Sequence, residues 1–577
     1  MGQRSGKDID PTTVEILRNR LHDIAEEMQS LVMQSAYSPL WQEGGDLSSI
    51  ILSPDLEIVG RSERVIPIHI ATQISATRAA LDELGGIEAL EPGDVIFHND
   101  PYAGNNHLND FLTVQPVFVD DALVGFSSDR GHWLDVGGMT PSSYGTDTGE
   151  LIKEGLRVPP AKLFRAGERN DDLYRTVMRN VRNPKNRELD FKAQLAGLRR
   201  GHDRLEETAE HYGVETVKAA MDIVLNNEET RMRERIADLS DGVYSATDYI
   251  DGDGVEDELT RIEVTVTVDG DELHVDFEGT ESQRYGGVNS PIGVTKNAVY
   301  YALKVTLDPG PPGTSGIYRP VSVTAPEGSL VNPTPPAPVV TGNHETASRV
   351  YDVVLKAVAT VDPAVAIGPG SGSANGYTYV HEETGRMGRD RTIGGLGGCA
   401  NRDGVDAIRS TVGNTAIQSI ERTEEDYPYL HTVEFAIVPD SGGPGRYRGG
   451  NAMRRTVAFD EDVRIVVTGE RTKVPPFGVC GGDAGRCAQW VHVTPEGTRI
   501  EKKSKFDTIF PAGSKLVGRA AGGGGYGVPT DRPPAAVRED VVDGYVTIES
   551  ARKSYGVAID PETRAVDQDT TERLREE

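Results

Sequence analysis

Hydrophobic positions open the chain at helical spacing. Leu17, Leu21, Ile24, Met28 and Leu31 follow one another every three or four residues after Asp10-Pro11, a pair suited to starting a helix. The pattern predicts a long amphipathic helix from about residue 12, its stripe facing a core or a subunit interface. The period then drops to two. LSSIILS predicts a strand, Pro54-Asp55 a turn and 56–59 a second strand, while Ile70–Leu84 reads as a helix stopped at Gly85-Gly86. Segments 95–97, 112–118 and 123–127 read as strands. From about 170 to 240 the helical period returns, with Phe191, Leu195, Leu198 and Leu205 marking a helix at 190–208 and another at 217–239. Beyond 241 the texture alternates: GVYSATDYIDGDG and RIEVTVTVDGDELHVDFEG predict antiparallel strands with Asp-Gly turns. Helices near 295–307 and 346–361 interrupt them. After about 425, strands and Gly-rich loops are expected, with a frayed last dozen residues.

Composition narrows the picture. At 577 residues, two or three lobes are expected. The 65 Gly and 34 Pro sit mostly in the second half and predict a loop-rich, strand-rich C-terminal part. The net charge is -30, and only 15 of the 60 basic residues are Lys, which argues against nucleic-acid and anionic-membrane partners. Three cysteines, Cys399, Cys480 and Cys487, make no disulfide framework and no zinc ribbon. The polar start, MGQRSGKDIDPTT, lacks an apolar export core, and no apolar run reaches spanning length, so a cytoplasmic protein is expected.

Candidate chemistry concentrates in residues 99–135, NDPYAGNNHLNDFLTVQPVFVDDALVGFSSDRGHWLD. His107 and Asp110 lie three residues apart, and His132 follows after one predicted hairpin. Two imidazoles and a carboxylate suit an open divalent-metal site, and the same residue types also serve as loop hydrogen-bonders. Asp135 is placed to orient a ligand. Asp46, in WQEGGDLSSII, reads by itself as a cap or turn residue and alternatively as a fourth ligand. Glu43 is a weaker candidate, and His69 and His98 read as packed or solvent-facing loop residues. Other motifs fail. His344-Glu345 is followed by Ser348 where a zincin needs its second His, and GPGSGSANG precedes a strand-like YTYV rather than a helix. The only Gly-Lys pair, Gly6-Lys7, precedes Asp8, so there is no phosphate loop. AAGGGGYGVP reads as a tight backbone crossing, or else a substrate loop.

The expected fold class is α+β, a multi-lobed mixed fold. It comprises an N-terminal metal-binding α/β region (1–165), a helical segment (166–240), a central α/β region (241–424) and a β-rich C-terminal region (425–577).

Nine blocks in order, among them NDPYAGNNHLND, GHWLDVGG, EGLRVPPAKLF, NVRNP, GNHETASRVYDVV, PDSGGPGRYRGG and ERTKVPPFGVCGG, resemble the hydantoinase B family. That family embraces the N-methylhydantoinase B component, the C-terminal half of ATP-dependent 5-oxoprolinase and the acetone carboxylase alpha subunit. The resemblance implies one divalent ion (Zn, Mn or Fe) held by His107, Asp110 and His132, with Asp46 completing the site. It also implies that ATP is bound by a separate hydantoinase A-like subunit with an actin-like fold, in a hetero-oligomer. The implied reaction is hydrolysis of a hydantoin, 5-oxoproline or similar cyclic amide whose carbonyl the partner has phosphorylated. Arg182 would steady a phosphoryl or carboxylate group, or else form a structural ion pair. A ketone carboxylase subunit is the alternative, disfavoured because acetone carboxylase alpha subunits are longer; a scaffold with a decayed site is a third reading. Three departures from the family pattern stand out: Trp133 where a second His is usual, Asn105-Asn106 in place of Gly-Gly, and Gly44-Gly45 before Asp46.

Overall fold

The computed structural model describes residues 9–310, 313–409 and 412–576. Gly6-Lys7 lies outside them. The chain divides into two compact units. The first comprises Met1–Asp241, Val268–Val275 and Gly287–Asn343; the second comprises Gly242–Thr267, Asp276–Gly286 and His344–Glu577. The architecture is the expected α+β mixture of helices and several separate sheets.

Unit one is built on a seven-stranded antiparallel sheet. Its strands are β1 (Leu47–Leu52), β2 (Ile58–Arg61), β3 (Val95–His98), β4 (Asp110–Val119), β5 (Ala122–His132), β6 (Ala161–Arg165) and β7 (Glu168–Arg169), in the order β2-β1-β5-β4-β3-β6-β7. Helix α1 (Pro11–Ser35) starts where the sequence predicts, with Asp10 accepting from the Thr13 N–H at 3.2 Å. Its stripe packs on one face of the sheet against Ile51, Val117 and Val124. Leu31 ends the sequence stripe but is only half-buried, and Val32 takes the buried position because a 3.6-residue period drifts over seven turns. After the short helix α2 (Pro39–Gln42), α3 (Ile70–Leu84) covers the opposite face over Ile50, Ile96, Leu112, Val114 and Phe126. It ends as predicted, with Gly85 at φ 99°. The helical stretch resolves into α4 (Asp171–Arg179), α5 (Pro184–Tyr212) and α6 (Val214–Ala237), of which α5 and α6 join α1 over the sheet. Helix α7 (Ile292–Leu307) packs beside α3.

Strands β4 and β5 outrun the apolar pattern at their polar ends. Asp110, Asp129, Arg130 and His132 are all buried because both sheet faces are covered there. Alternation in hydrophobicity signals a half-buried strand only, so it stops short of such a stretch.

Unit two holds a four-stranded sheet (Met387–Arg391, Gly376–His381, Val463–Thr468, Lys505–Phe510) and a five-stranded one (Leu430–Ile437, Met453–Phe459, Lys515–Arg519, Gln489–Val493, Arg499–Lys502). Tyr377, Phe459, Ile465, Trp490 and Leu516 share one core. The 520–529 stretch is a backbone crossing. Main-chain bonds join Gly523 to Gly450, Gly524 to Pro369 and Gly525 to Asp483, each at 2.9 Å. A Cβ on Gly523 would lie 1.9 Å from the Leu396 carbonyl oxygen, and one on Gly524 would lie 1.8 Å from that of Phe477. The C-terminus is not frayed: Pro534–Val542, Ile548–Tyr555 and Gln568–Glu576 are helices, and Val537, Val541, Ala551 and Tyr555 form a small core. The three cysteines are free. Among the described residues no helix is long and apolar enough to cross a membrane.

Candidate metal centre

Asp110 opens β4 and His132 closes β5, and the ladder pairs them directly across from each other. His107 sits in the preceding turn, its carbonyl accepting from the Asp110 N–H at 3.0 Å. Local folding therefore brings the three predicted ligands together. Asp110 Oδ1 lies 3.0 Å from His107 Nε2 and 2.9 Å from His132 Nδ1, and the two ring nitrogens are 3.1 Å apart. His107 and Asp110 have no exposure and His132 has 5%, so the triangle is buried.

The tautomer of His107 follows from its neighbour. Nδ1 lies 3.0 Å from the Val340 carbonyl oxygen, which can only accept, so Nδ1 carries a proton and Nε2 faces Asp110 and His132. The triangle's corners are thus His107 Nε2, His132 Nδ1 and the Asp110 carboxylate oxygen Oδ1. Such a triangle is stable only around positive charge, either protons or a cation. Equal edges near 3 Å also fit three mutually cis ligands about 2.1 Å from one ion, as on one face of an octahedron.

The carboxylate is heavily supported. Burial works to raise the Asp110 pKa, but the His107 and His69 rings and hydrogen bonds to His107 and His132 outweigh it and hold the carboxyl well below its ordinary value. His69 Nε2 lies 3.2 Å from Asp110 Oδ2, and the Asn106 side-chain amide donates to the same oxygen at 2.9 Å. Asn106 Oδ1 in turn accepts from Arg130 at 3.2 Å, and Arg130 also donates to the Thr72 hydroxyl. Burial lowers the Arg130 guanidinium to about 10, against the pull of Asp110. Ser48 holds the other face of His69, with 3.0 Å between Oγ and Nδ1.

Sequence reasoning misses His69, Asn106, Thr72 and Arg130 as parts of the site. His69 reads as a packed or solvent-facing loop residue, but it lies just before α3 and is turned onto Asp110. Its only sequence signal is proximity to the predicted ligands, which does not set direction. His98 is packed as expected: burial and Arg130 depress its pKa to about 3, leaving it neutral. Asn105 and Asn106 support the cluster rather than only forming a turn, with Asn105 Nδ2 donating to the Asp110 carbonyl at 2.8 Å.

The remaining predicted residues stand as follows. Asp46 lies beside the cluster through its main chain, its carbonyl accepting from the His132 N–H at 3.1 Å. Its carboxylate is not one of the three groups whose ligand atoms gather within 4.8 Å. Asp135 accepts from the N–H groups of Gly137, Ser142 and Arg182 at 2.8, 2.8 and 3.0 Å and from Arg182 Nη1 at 3.0 Å. Arg182 also donates to the carbonyls of Gly137 and Gly138. The pair thus ties the 137–142 loop beside the site. Trp133 follows His132 but turns the other way, buried against Phe111 and Phe191 with ring centroids 4.3 and 5.6 Å away.

Glu154 supports the cluster from further out. It accepts from the Val340 N–H at 2.9 Å, anchoring the residue whose carbonyl holds His107. Burial, partly offset by the Val340 and Val339 N–H groups, raises its carboxyl to about 8.

A family model described as Hydantoinase B/oxoprolinase matches residues 10–529. The chain is 33% identical to the B component of a putative D-/L-hydantoinase of Pseudomonas sp., over 99% of this chain and 98% of that one. It is 31% identical to the beta component of the caprolactamase of Pseudomonas jessenii, over 96% and 97%. The crystal structure of the ATP-dependent caprolactamase from Pseudomonas jessenii matches with a TM-score of 0.91 at 28% identity, covering 99% of this chain and 100% of that one. A nucleotide-free acetone carboxylase structure matches with a TM-score of 0.87 at 18% identity, over 98% and 82%, a likeness of fold alone.

Proposed function

The chain belongs to the hydantoinase B/oxoprolinase family, and on that footing we propose that it is the metal-binding subunit of an ATP-dependent cyclic amidohydrolase. The triangle of His107, Asp110 and His132, with edges of 2.9–3.1 Å in a buried setting, is the observation that carries this reading. Asp46 is proposed as the fourth ligand, its carboxylate reaching a bound ion from a main chain already bonded to His132. Two imidazole nitrogens and a carboxylate would suit Zn, Mn or Fe alike.

The substrate is a hydantoin, lactam or related cyclic amide. ATP belongs to a hydantoinase A-like partner, which activates the ring carbonyl by phosphorylation. Two things support this division: the chain has no phosphate loop, and two of its relatives are named as single components of enzymes with more than one. A divalent ion held here supplies Lewis acidity and lowers the pKa of a coordinated water. The protein's own groups preset the site. The Val340 carbonyl fixes the His107 tautomer, and Asn106 and His69 fix the Asp110 carboxylate. The apolar packing of Trp133, Phe111 and Phe191 keeps β4 and β5 rigid behind them. Asp135 and Arg182 act by holding the 137–142 loop.

The test is ATP turnover by the co-expressed pair on a panel of cyclic amides, with metal analysis of the purified chain. One divalent ion per chain, lost in His107→Ala, and turnover that requires a cyclic amide are expected. Full occupancy in His107→Ala would remove the site. Turnover that instead requires bicarbonate and a ketone would replace the hydrolase with the carboxylase.

A further inference from the structure

Away from the metal centre, unit one carries a cavity of about 410 Å³ between α3 and α7. This is within the size range of small-molecule sites. Its apolar part consists of Leu56, Ala71 and Ile74 beside a stacked tyrosine pair, Tyr300 and Tyr318, whose ring centroids are 4.5 Å apart at 18°. Gly293 allows the two helices to approach: a Cβ there would lie 3.0 Å from Ser75 Oγ and 3.3 Å from the Gly104 carbonyl oxygen.

The charges around this cavity are unbalanced. Glu57 and Arg319 neutralise each other in a bidentate pair at 2.8 and 2.6 Å, and Arg319 also bonds Asn226 and Glu229. Lys296 on α7 and Arg78 on α3 have no ion-pair or hydrogen-bond partner among the described residues, and both line the cavity. In a chain of net charge -30, where acidic groups are in excess, two cations without a partner beside one apolar cavity are available to an anionic ligand.

We propose that this cavity is a binding site for a small organic anion. A carboxylate or phosphate is held by Lys296 and Arg78, and an apolar body rests against Tyr300, Tyr318 and Ile74. Anion recognition by two cations is charge-assisted and directional, while the aromatic wall rewards a planar body over a bare ion. The cavity's helix α3 begins beside His69 and carries Thr72, which bonds Arg130.

Isothermal titration of the full chain with benzoate, hexanoate and inorganic phosphate tests this, with and without a chelator. Expected are one saturable benzoate site per chain that persists in chelator, and weaker binding of phosphate. Lys296→Ala and Arg78→Ala should each weaken benzoate about tenfold, the loss of one charge-assisted hydrogen bond. Arg78 is exposed and Lys296 half-buried, and circular dichroism verifies that the variants fold. Tyr300→Ala should weaken benzoate more than phosphate, and hexanoate distinguishes a requirement for a planar body from one for apolar bulk. Equal binding by wild type and both cation variants, loss of the site in chelator, or absence of saturable binding would each overturn the proposal. Phosphate binding as tightly as benzoate would overturn the assigned role of the aromatic wall.

Discussion

Glu154→Gln separates a buried neutral acid from a buried charge. Glu154 has a folded-state pKa of about 8 against 4.5 for the free side chain. Between those values the unfolded chain is ionised while the folded chain keeps the proton. Stability therefore falls as pH rises through that window, by about 1.4 kcal/mol per pH unit and at most about 5 kcal/mol in all. Glutamine is close in shape to the protonated acid and keeps an oxygen for the Val340 N–H, yet it cannot ionise. From pH 6 to pH 8 the variant should gain about 2.5 kcal/mol on wild type, since two units of the slope disappear, less the rounding near the folded pKa. Urea unfolding of both proteins at pH 6, 7 and 8 reads this directly, provided the denaturant slopes agree. Metal content should stay unchanged, because the link from Val340 to His107 survives. Parallel stability curves across the window would refute the reasoning and mean that Glu154 is ionised in the folded protein.

Other substitutions probe other parts of the structure. Asn106→Ala removes the donor to Asp110 and the acceptor for Arg130; metal affinity should fall about 10–100-fold with the fold intact, measured by competitive chelator titration. Trp133→His introduces the second His that the family resemblance leads one to expect, but on the face turned toward Phe111 and Phe191. It should cost about 3 kcal/mol of stability in denaturant melts and leave metal stoichiometry unchanged, whereas a second bound ion would show that residue 133 reaches the site. Gly523→Ala places a methyl group 1.9 Å from the Leu396 carbonyl oxygen. The variant should be insoluble or destabilised by more than about 3 kcal/mol, and a wild-type melting curve would rule out the tight crossing.

Much of unit one is legible because its elements are amphipathic. The α1 stripe and the stop of α3 at Gly85 follow from local rules, and both appear where expected. The three cluster residues are legible for a related reason: a turn and a hairpin are short-range structures, so His107, Asp110 and His132 converge without help from distant segments. The C-terminal helices are not. Gln568–Glu576 is short and highly charged, so its apolar contacts are too few to print a period on the sequence, and a polar tail of that kind reads as frayed.

The sequence by itself determined the residue types of the cluster, the hairpin that joins them, the absence of a phosphate loop and the family. Tertiary structure decided which neighbours act. His69 and His98 look alike in sequence, yet one faces Asp110 and the other is enclosed beside Arg130, because the path of the chain before α3 and the pleat of β3 set their directions. Val340 and Glu154 lie 233 and 47 residues from His107, and only folding makes them the support for its ring. Side-chain identity specifies what a group can bond to. Which partner it meets depends on long-range packing, and no local pattern in the chain encodes that.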